Sequence, residues 1–96
     1  MLWFPAAPPG KRIKLEFRDH FILEESSNNC EYDVLEIRDG RYGYDKVLAR
    51  LCGQNFPHEY YSSDRYMWLS FKSDESIEYT GFRAVYKWEP QLGELM

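Results

Sequence analysis

Hydrophobic and polar residues alternate along several short stretches of the chain. In the first stretch Ile13, Leu15 and Phe17 are separated by Lys14 and Glu16. A repeat of two residues is typical of a β-strand that buries one of its faces. The same alternation predicts strands over residues 32–38, 65–72 and 82–88, and short apolar runs predict two more over 21–23 and 47–51.

The pattern indicates an all-β fold. No stretch has the 3.6-residue apolar spacing of an amphipathic helix of three turns. Turn-forming sequences such as Ser26-Ser27-Asn28-Asn29 and Asp39-Gly40 separate the predicted strands. His20 and His58 fall in predicted turns, where a solvated side chain is expected. Short strands divided by frequent turns favour an antiparallel β-sandwich.

Composition narrows the class of protein. With 96 residues the chain is long enough for one domain, and an aromatic content of 18% favours a packed core. The net charge of −4 gives no reason to expect a nucleic-acid partner. No apolar run is long enough to insert into a membrane, and residues 1–9 contain several prolines and no basic segment. We therefore expect no signal peptide in this chain.

The sequence offers little catalytic chemistry. It contains neither a G-x-S-x-G nor an H-E-x-x-H motif, so we do not expect an enzyme. Cys30 and Cys52 are its two cysteines, without the additional clustered ligands of a zinc site. Taken alone, their spacing leaves open whether they form a disulfide or remain free thiols.

Several ordered motifs carry a family resemblance. Residues 30–40, CEYDVLEIRDG, resemble the C-x-Y-D-x-L-x-I-x-D-G core of CUB domains. Residues 51–54 (LCGQ) are similar to the segment around the second cysteine of that core. Residues 7–13 (APPGKRI), 71–74 (FKSD) and 81–86 (GFRAVY) resemble other CUB motifs. The resemblance extends from about residue 7 to residue 88, and residues 41–44 and 65–71 most resemble the CUB domains of neuropilin-and-tolloid-like proteins.

The resemblance implies a CUB or jelly-roll-like antiparallel β-sandwich that is incomplete at its N-terminus. The first cysteine, the glycine-rich strand and the N-Y-P segment of a complete CUB domain are absent from the sequence. We therefore expect residues 1–10 to form an irregular N-terminal segment or partial first strand. Residues 11–89 would form a partial CUB domain, and 90–96 a loose C-terminal tail. Uncovered sheet edges and apolar faces are the expected consequence.

The same resemblance predicts a Cys30–Cys52 disulfide, and with it an oxidising, extracellular or cell-surface location. Resemblance to neuropilin-and-tolloid-like proteins further implies a membrane-anchored parent protein that associates with ionotropic glutamate receptors.

A calcium site is the main chemical expectation. Asp33 lies in phase with Leu35 and Ile37, and a carboxylate on a buried face is costly unless its charge is compensated. The resemblance implies that one Ca²⁺ ion is held by a glutamate, Asp33 and Asp74, helped by the main-chain carbonyl of Ser76. The alternative is that these acids are solvated loop residues.

Two residues compete for the role of the glutamate ligand. The strand pattern F-x-L-E selects Glu24, whereas the spacing back from Cys30 selects Glu25. We prefer Glu24, because the loop before the cysteine varies in length while the strand fixes the direction of the side chain.

The predicted function is that of a non-catalytic extracellular protein-recognition module. In the family such a calcium site docks a Lys or Arg of a partner, and Tyr32 would pack against its alkyl stem. Tyr42 and Tyr44, in an exposed loop, form a second candidate contact patch. Tyr32 could instead cap the core, and residues 41–44 could be an ordinary hairpin tip. The alternatives for the whole chain are a truncated, non-binding CUB fragment and a carbohydrate- or small-ligand-binding β-sandwich.

Overall fold

The computed structural model describes residues 1–23, 30, 33–72 and 81–91. In these ranges the chain forms seven β-strands and no helix. The described residues therefore contain no helix that could cross a membrane. The strands are β1 (Leu2–Trp3), β2 (Lys11–Ile22), β3 (Val34–Asp39), β4 (Lys46–Leu51), β5 (Tyr60–Tyr61), β6 (Trp68–Lys72) and β7 (Gly81–Pro90).

The strands form two antiparallel sheets that pack as a β-sandwich, as the alternating pattern predicted. One sheet has the order β1-β6-β3-β4 and the other β5-β2-β7. The core lies between the sheets, because each contributes the apolar side of its alternating strands. Its buried apolar residues are Ala7, Ile13, Leu15, Phe17, Phe21, Leu23, Leu35, Ile37, Met67 and Leu69.

β2 is one continuous strand, whereas the sequence pattern predicted two separate ones. Its pairing with β7 shifts register between Phe17 and Phe21. Asp19, within this irregularity, has a positive φ of 67°. Phe17 and Phe21 are four residues apart, a multiple of two, so both apolar runs face the core and only the polar Asp19 interrupts the apolar repeat. The prediction that His20 lies in a turn is therefore wrong, because His20 belongs to β2.

A buried serine fastens the short strand β5 to β2. The Ser62 hydroxyl accepts a hydrogen bond from the Ile13 amide at 2.7 Å and donates one to the Asp64 carbonyl, also at 2.7 Å. The Ser62 amide in turn donates to the Ile13 carbonyl at 2.9 Å. These bonds satisfy polar groups that burial would otherwise leave without water.

The N-terminal residues are tied to both sheets. Leu2 and Trp3 pair with Ser70 and Leu69 of β6. At the other end of the segment, the indole Nε1 of Trp88 donates to the Ala6 carbonyl at 3.2 Å. β1 is thereby an edge strand of the four-stranded sheet.

Candidate functional site

One end of the sandwich gathers the termini of three strands. β3 begins there, with Val34 paired directly with Lys72 at the end of β6. The amide of Leu23, just past the end of β2, donates to the Gly53 carbonyl at 2.9 Å. This end of the sandwich is therefore where the chain leaves β2 and β6 and enters β3.

The Cys30–Cys52 disulfide lies at the same end. Its Cα atoms are 5.5 Å apart, and the bond joins the residues before β3 to the end of β4. The spacing of the cysteines left this pairing open, and the resemblance predicted it. The predicted disulfide is confirmed.

Asp33, three residues after Cys30, is buried at this end of the sandwich. Only 4% of its surface is exposed, close to the values for Leu35 and Ile37 on the same side of the chain. The prediction that its side chain lies on the buried face is confirmed. Among the described residues, Asp33 is the only charged residue that is buried. A buried carboxylate requires a compensating interaction.

The other proposed metal ligands lie outside the described residues. These are Glu24, Glu25, Asp74 and Ser76, and Tyr32 also lies outside them. In the sequence, Glu24 directly follows Leu23, and Asp74 is two residues after Lys72. Within the described ranges, no group of three or more His, Cys, Asp or Glu side chains is gathered as for a metal ion.

A tyrosine pair marks the loop after β3, at the opposite end of that strand from Asp33. The rings of Tyr42 and Tyr44 stack with centroids 5.1 Å apart and planes within 9°. Tyr44 is 80% exposed, which confirms the prediction of an exposed loop. The Asp45 carboxylate accepts a hydrogen bond from the Tyr42 amide at 2.9 Å and so fixes the turn.

The chain shares its sequence pattern with a known protein family. The family model described as "CUB domain" matches residues 2–86. The chain belongs to the CUB domain family. The all-β sandwich, which the alternating pattern and the CUB resemblance both predicted, and the disulfide, which the resemblance predicted, agree with this membership.

Curated relatives and solved structures share the CUB region. Over 84 residues the chain is 43% identical to human Neuropilin and tolloid-like protein 2, covering 88% of this chain and 16% of that protein. The human MASP-1/3 CUB1-EGF-CUB2 structure matches at 37% identity with a TM-score of 0.78, covering 94% of this chain and 35% of that one.

A third match is a crystal structure of the MASP-1 CUB2 domain bound to Ca²⁺. It is 23% identical with a TM-score of 0.69, and it covers 90% of this chain and 89% of that one. At this identity the match shows the shared fold.

The outer face of the three-stranded sheet of this CUB domain carries a charged cluster around Glu16. The Glu16 carboxylate accepts from Arg18 at 2.9 Å and lies 3.2 Å from the Lys14 ammonium and 3.7 Å from that of Lys87. The Arg18 hydrogen bond, then that of Lys14, lowers the pKa of Glu16 from 4.5 to about 2. The hydrogen bond to the same carboxylate raises the pKa of Lys14. On the neighbouring strand β5, partial burial raises the pKa of Tyr60.

This lowered pKa predicts an acid-sensitive contribution to stability. Because the folded state holds Glu16 ionised to lower pH than the unfolded state does, its contribution is present above pH 4.5. It is lost as the pH falls towards about 2. We expect Glu16→Gln to flatten the fall in unfolding free energy over this window, measured by urea denaturation at a series of pH values. The exposed Glu59→Gln serves as the control, and an unchanged slope in Glu16→Gln would contradict the assignment.

The sequence pattern missed two features of the surface. Nothing in the alternation indicated the two-residue strand β5, which is too short to show a period. The pattern also placed Tyr86 and Trp88 on the same face as Phe82 and Ala84, but they are 52% and 56% exposed.

Proposed function

We propose that this CUB domain is a non-catalytic extracellular module that recognises a protein partner, and that one Ca²⁺ ion at the Asp33 end of the sandwich supports the docking. The observation that carries the proposal is the buried carboxylate of Asp33, which directly precedes β3 at the end of the sandwich that also holds the disulfide.

The chemistry of the donor set fits calcium. Ca²⁺ binds six to eight hard oxygen ligands, mostly carboxylates and carbonyls. Asp33 supplies one carboxylate, and we assign the other two to Glu24 and Asp74. Glu25 is the alternative to Glu24. The main-chain carbonyl of Ser76 is a further ligand. The positions of Leu23 and Lys72 support this set of ligands. Both residues lie at the same end of the sandwich as Asp33, and in the sequence they closely precede Glu24 and Asp74. When bound, the ion would supply positive charge that lets several carboxylates share a small volume.

The partner is defined by its charge. The chain carries a net charge of −4, and its proposed docking site is built from acidic side chains. A Lys or Arg side chain of the partner would donate hydrogen bonds to carboxylate oxygens, and Tyr32 would pack along its alkyl stem. Removing such a cation would weaken binding mainly by faster dissociation.

The setting of this recognition is the cell exterior. The Cys30–Cys52 disulfide is of the kind that persists in oxidising compartments. This chain spans 16% of the length of its neuropilin and tolloid-like relative. We propose that the parent protein is membrane-anchored, and the resemblance to neuropilin-and-tolloid-like proteins suggests an ionotropic glutamate receptor as its partner.

A second contact patch is proposed at Tyr42 and Tyr44. Stacked, exposed aromatic rings offer apolar area at little cost in conformational entropy when a partner covers them. Because the patch and Asp33 lie at opposite ends of β3, this patch would bind independently of calcium.

The test is thermal unfolding of the calcium-free chain with and without added CaCl₂. We expect calcium to raise the melting temperature, because an ion that binds only the folded state stabilises it by mass action. The shift should disappear in Asp33→Asn, which keeps the shape of the side chain and removes its charge.

Asp64→Asn is the matched control. Asp64 is an exposed acid in the loop after β5, close to Gln91 at the other end of β2, and it is not among the proposed ligands. Its variant should retain the full shift. An equal shift in wild type and Asp33→Asn, or none in wild type, would overturn the calcium site.

A further inference from the structure

In the part of the chain that the structure describes, one edge of β7 is open. In the three-stranded sheet β2 lies between β5 and β7. Among the described residues, β7 pairs with β2 alone, over almost its whole length from Gly81 to Pro90. On its other side, the main-chain N–H and C=O groups of β7 pair with no described strand. A long open edge of this kind is a template for pairing with another strand.

The hydrogen bonds of β2 show which residues of β7 face that edge. The Gln91 amide donates to the Gly10 carbonyl, and the Ser62 amide donates to the Ile13 carbonyl on the opposite side of β2. Bonding alternates along an antiparallel pair, so Val85, Lys87 and Glu89 bond towards β2. The N–H and C=O groups of Ala84, Tyr86 and Trp88 therefore point to the open edge.

We propose that the occupant of this edge is a second copy of the chain, whose β7 pairs antiparallel with the first about a twofold axis. Tyr86 would lie opposite Tyr86 of the second copy, and Ala84 opposite Trp88. The three-stranded sheets of the two copies would then form one continuous sheet. Pro90 has no N–H to offer at the edge, so it sets the outer limit of the pairing.

Charge selects this register. With Tyr86 on the axis, Arg83 of each copy lies opposite Glu89 of the other, which adds two attractive pairs to the ion pairs that Arg83 and Glu89 form with Asp19 and Arg12 of their own chain. Sliding one copy by two residues brings Lys87 opposite either Arg83 or Lys87 of the other copy. Like charges directly opposite one another destabilise an antiparallel pair.

Burial of apolar side chains would stabilise the dimer more than the charge pairs do. Tyr86 and Trp88 are 52% and 56% exposed, although they lie on the side of β7 that carries Phe82. Beside them is an open apolar groove between β7 and the N-terminal strand, lined by Met1, Trp3, Leu15, Phe71 and Phe82. A twofold axis perpendicular to the sheet keeps this face on the same side in both copies. The aromatic side chains of each copy would thus cover the groove of the other.

The first test is sedimentation equilibrium of the wild-type chain over a dilution series. We expect a reversible monomer–dimer equilibrium. Arg83→Glu should raise the dimer dissociation constant about tenfold, because two attractive cross-strand pairs become repulsive. Lys87→Glu makes the same change in net charge but lies opposite Val85 of the second copy, so it should leave the constant within about twofold.

The second test is cross-linking. Tyr86→Cys should form a disulfide-linked dimer under oxidation, because directly opposite residues have Cα atoms about 5.5 Å apart. The two copies of Trp88→Cys would be about 13 Å apart along the strands and should not cross-link.

A wild-type chain that stays monomeric at every concentration would overturn the proposal, whether the edge is then filled by another protein or by a segment of a longer polypeptide. Cross-linking by Trp88→Cys in preference to Tyr86→Cys would overturn the register. The inference is independent of calcium, since none of its residues is a proposed ligand, and Asp33→Asn should dimerise like wild type.

Discussion

Replacing Cys30 and Cys52 together by serine is expected to lower the free energy of unfolding by about 3 kcal/mol. The two residues are 22 positions apart, so the bond removes the entropy of a loop of that length from the unfolded chain. This is a large share of the stability of a domain of this size, for which roughly 5–15 kcal/mol is usual. Urea denaturation of wild type and the double variant measures the loss.

Reduction provides the matched control for this prediction. Wild type unfolded in the presence of a reductant should lose the same stability as the double variant, and the reductant should not affect the variant further. A loss below about 1 kcal/mol would show that the disulfide contributes little to this fold.

Truncating Ile37 to alanine is expected to cost about 3 kcal/mol of unfolding free energy. Ile37 is fully buried in the middle of β3, where it pairs with Ala49 of β4 and Leu69 of β6. The truncation removes apolar contacts with β4 and β6 and leaves a cavity. Because β3 is hydrogen-bonded to both strands, they cannot move together to close it.

Val47→Ala on β4 is the control for this variant. Val47 is β-branched like Ile37 and belongs to the same sheet, but it is 40% exposed, so its truncation should cost about 0.5 kcal/mol. Equal losses in the two variants, measured by urea denaturation, would contradict the assignment of Ile37 to the centre of the core.

The alternating pattern was sufficient to predict most of the sandwich. Ile13, Leu15 and Phe17 repeat every second residue, and the structure buries all three in β2. The pattern could not predict that β2 continues beyond them, because the bulge near Asp19 depends on pairing with β7, far along the chain. A break in a local repeat looks the same in the sequence whether a turn or a bulge causes it.

The surface and the candidate site show what a local pattern cannot supply. Alternation assigns Tyr86 and Trp88 to a face, but whether that face is covered depends on which strands lie beside it. The burial of Asp33 followed from its phase with Leu35 and Ile37. Its proximity to the ends of β2 and β6, in contrast, comes from long-range pairing, and the family resemblance suggested it.

Isothermal titration of CaCl₂ into the calcium-free chain tests the central proposal most directly. We predict saturable binding of a single ion by wild type and by Asp64→Asn, and its loss in Asp33→Asn, because one buried carboxylate is removed from a small set of oxygen ligands. Absence of saturable heat in wild type, or equal binding by Asp33→Asn, would contradict the account.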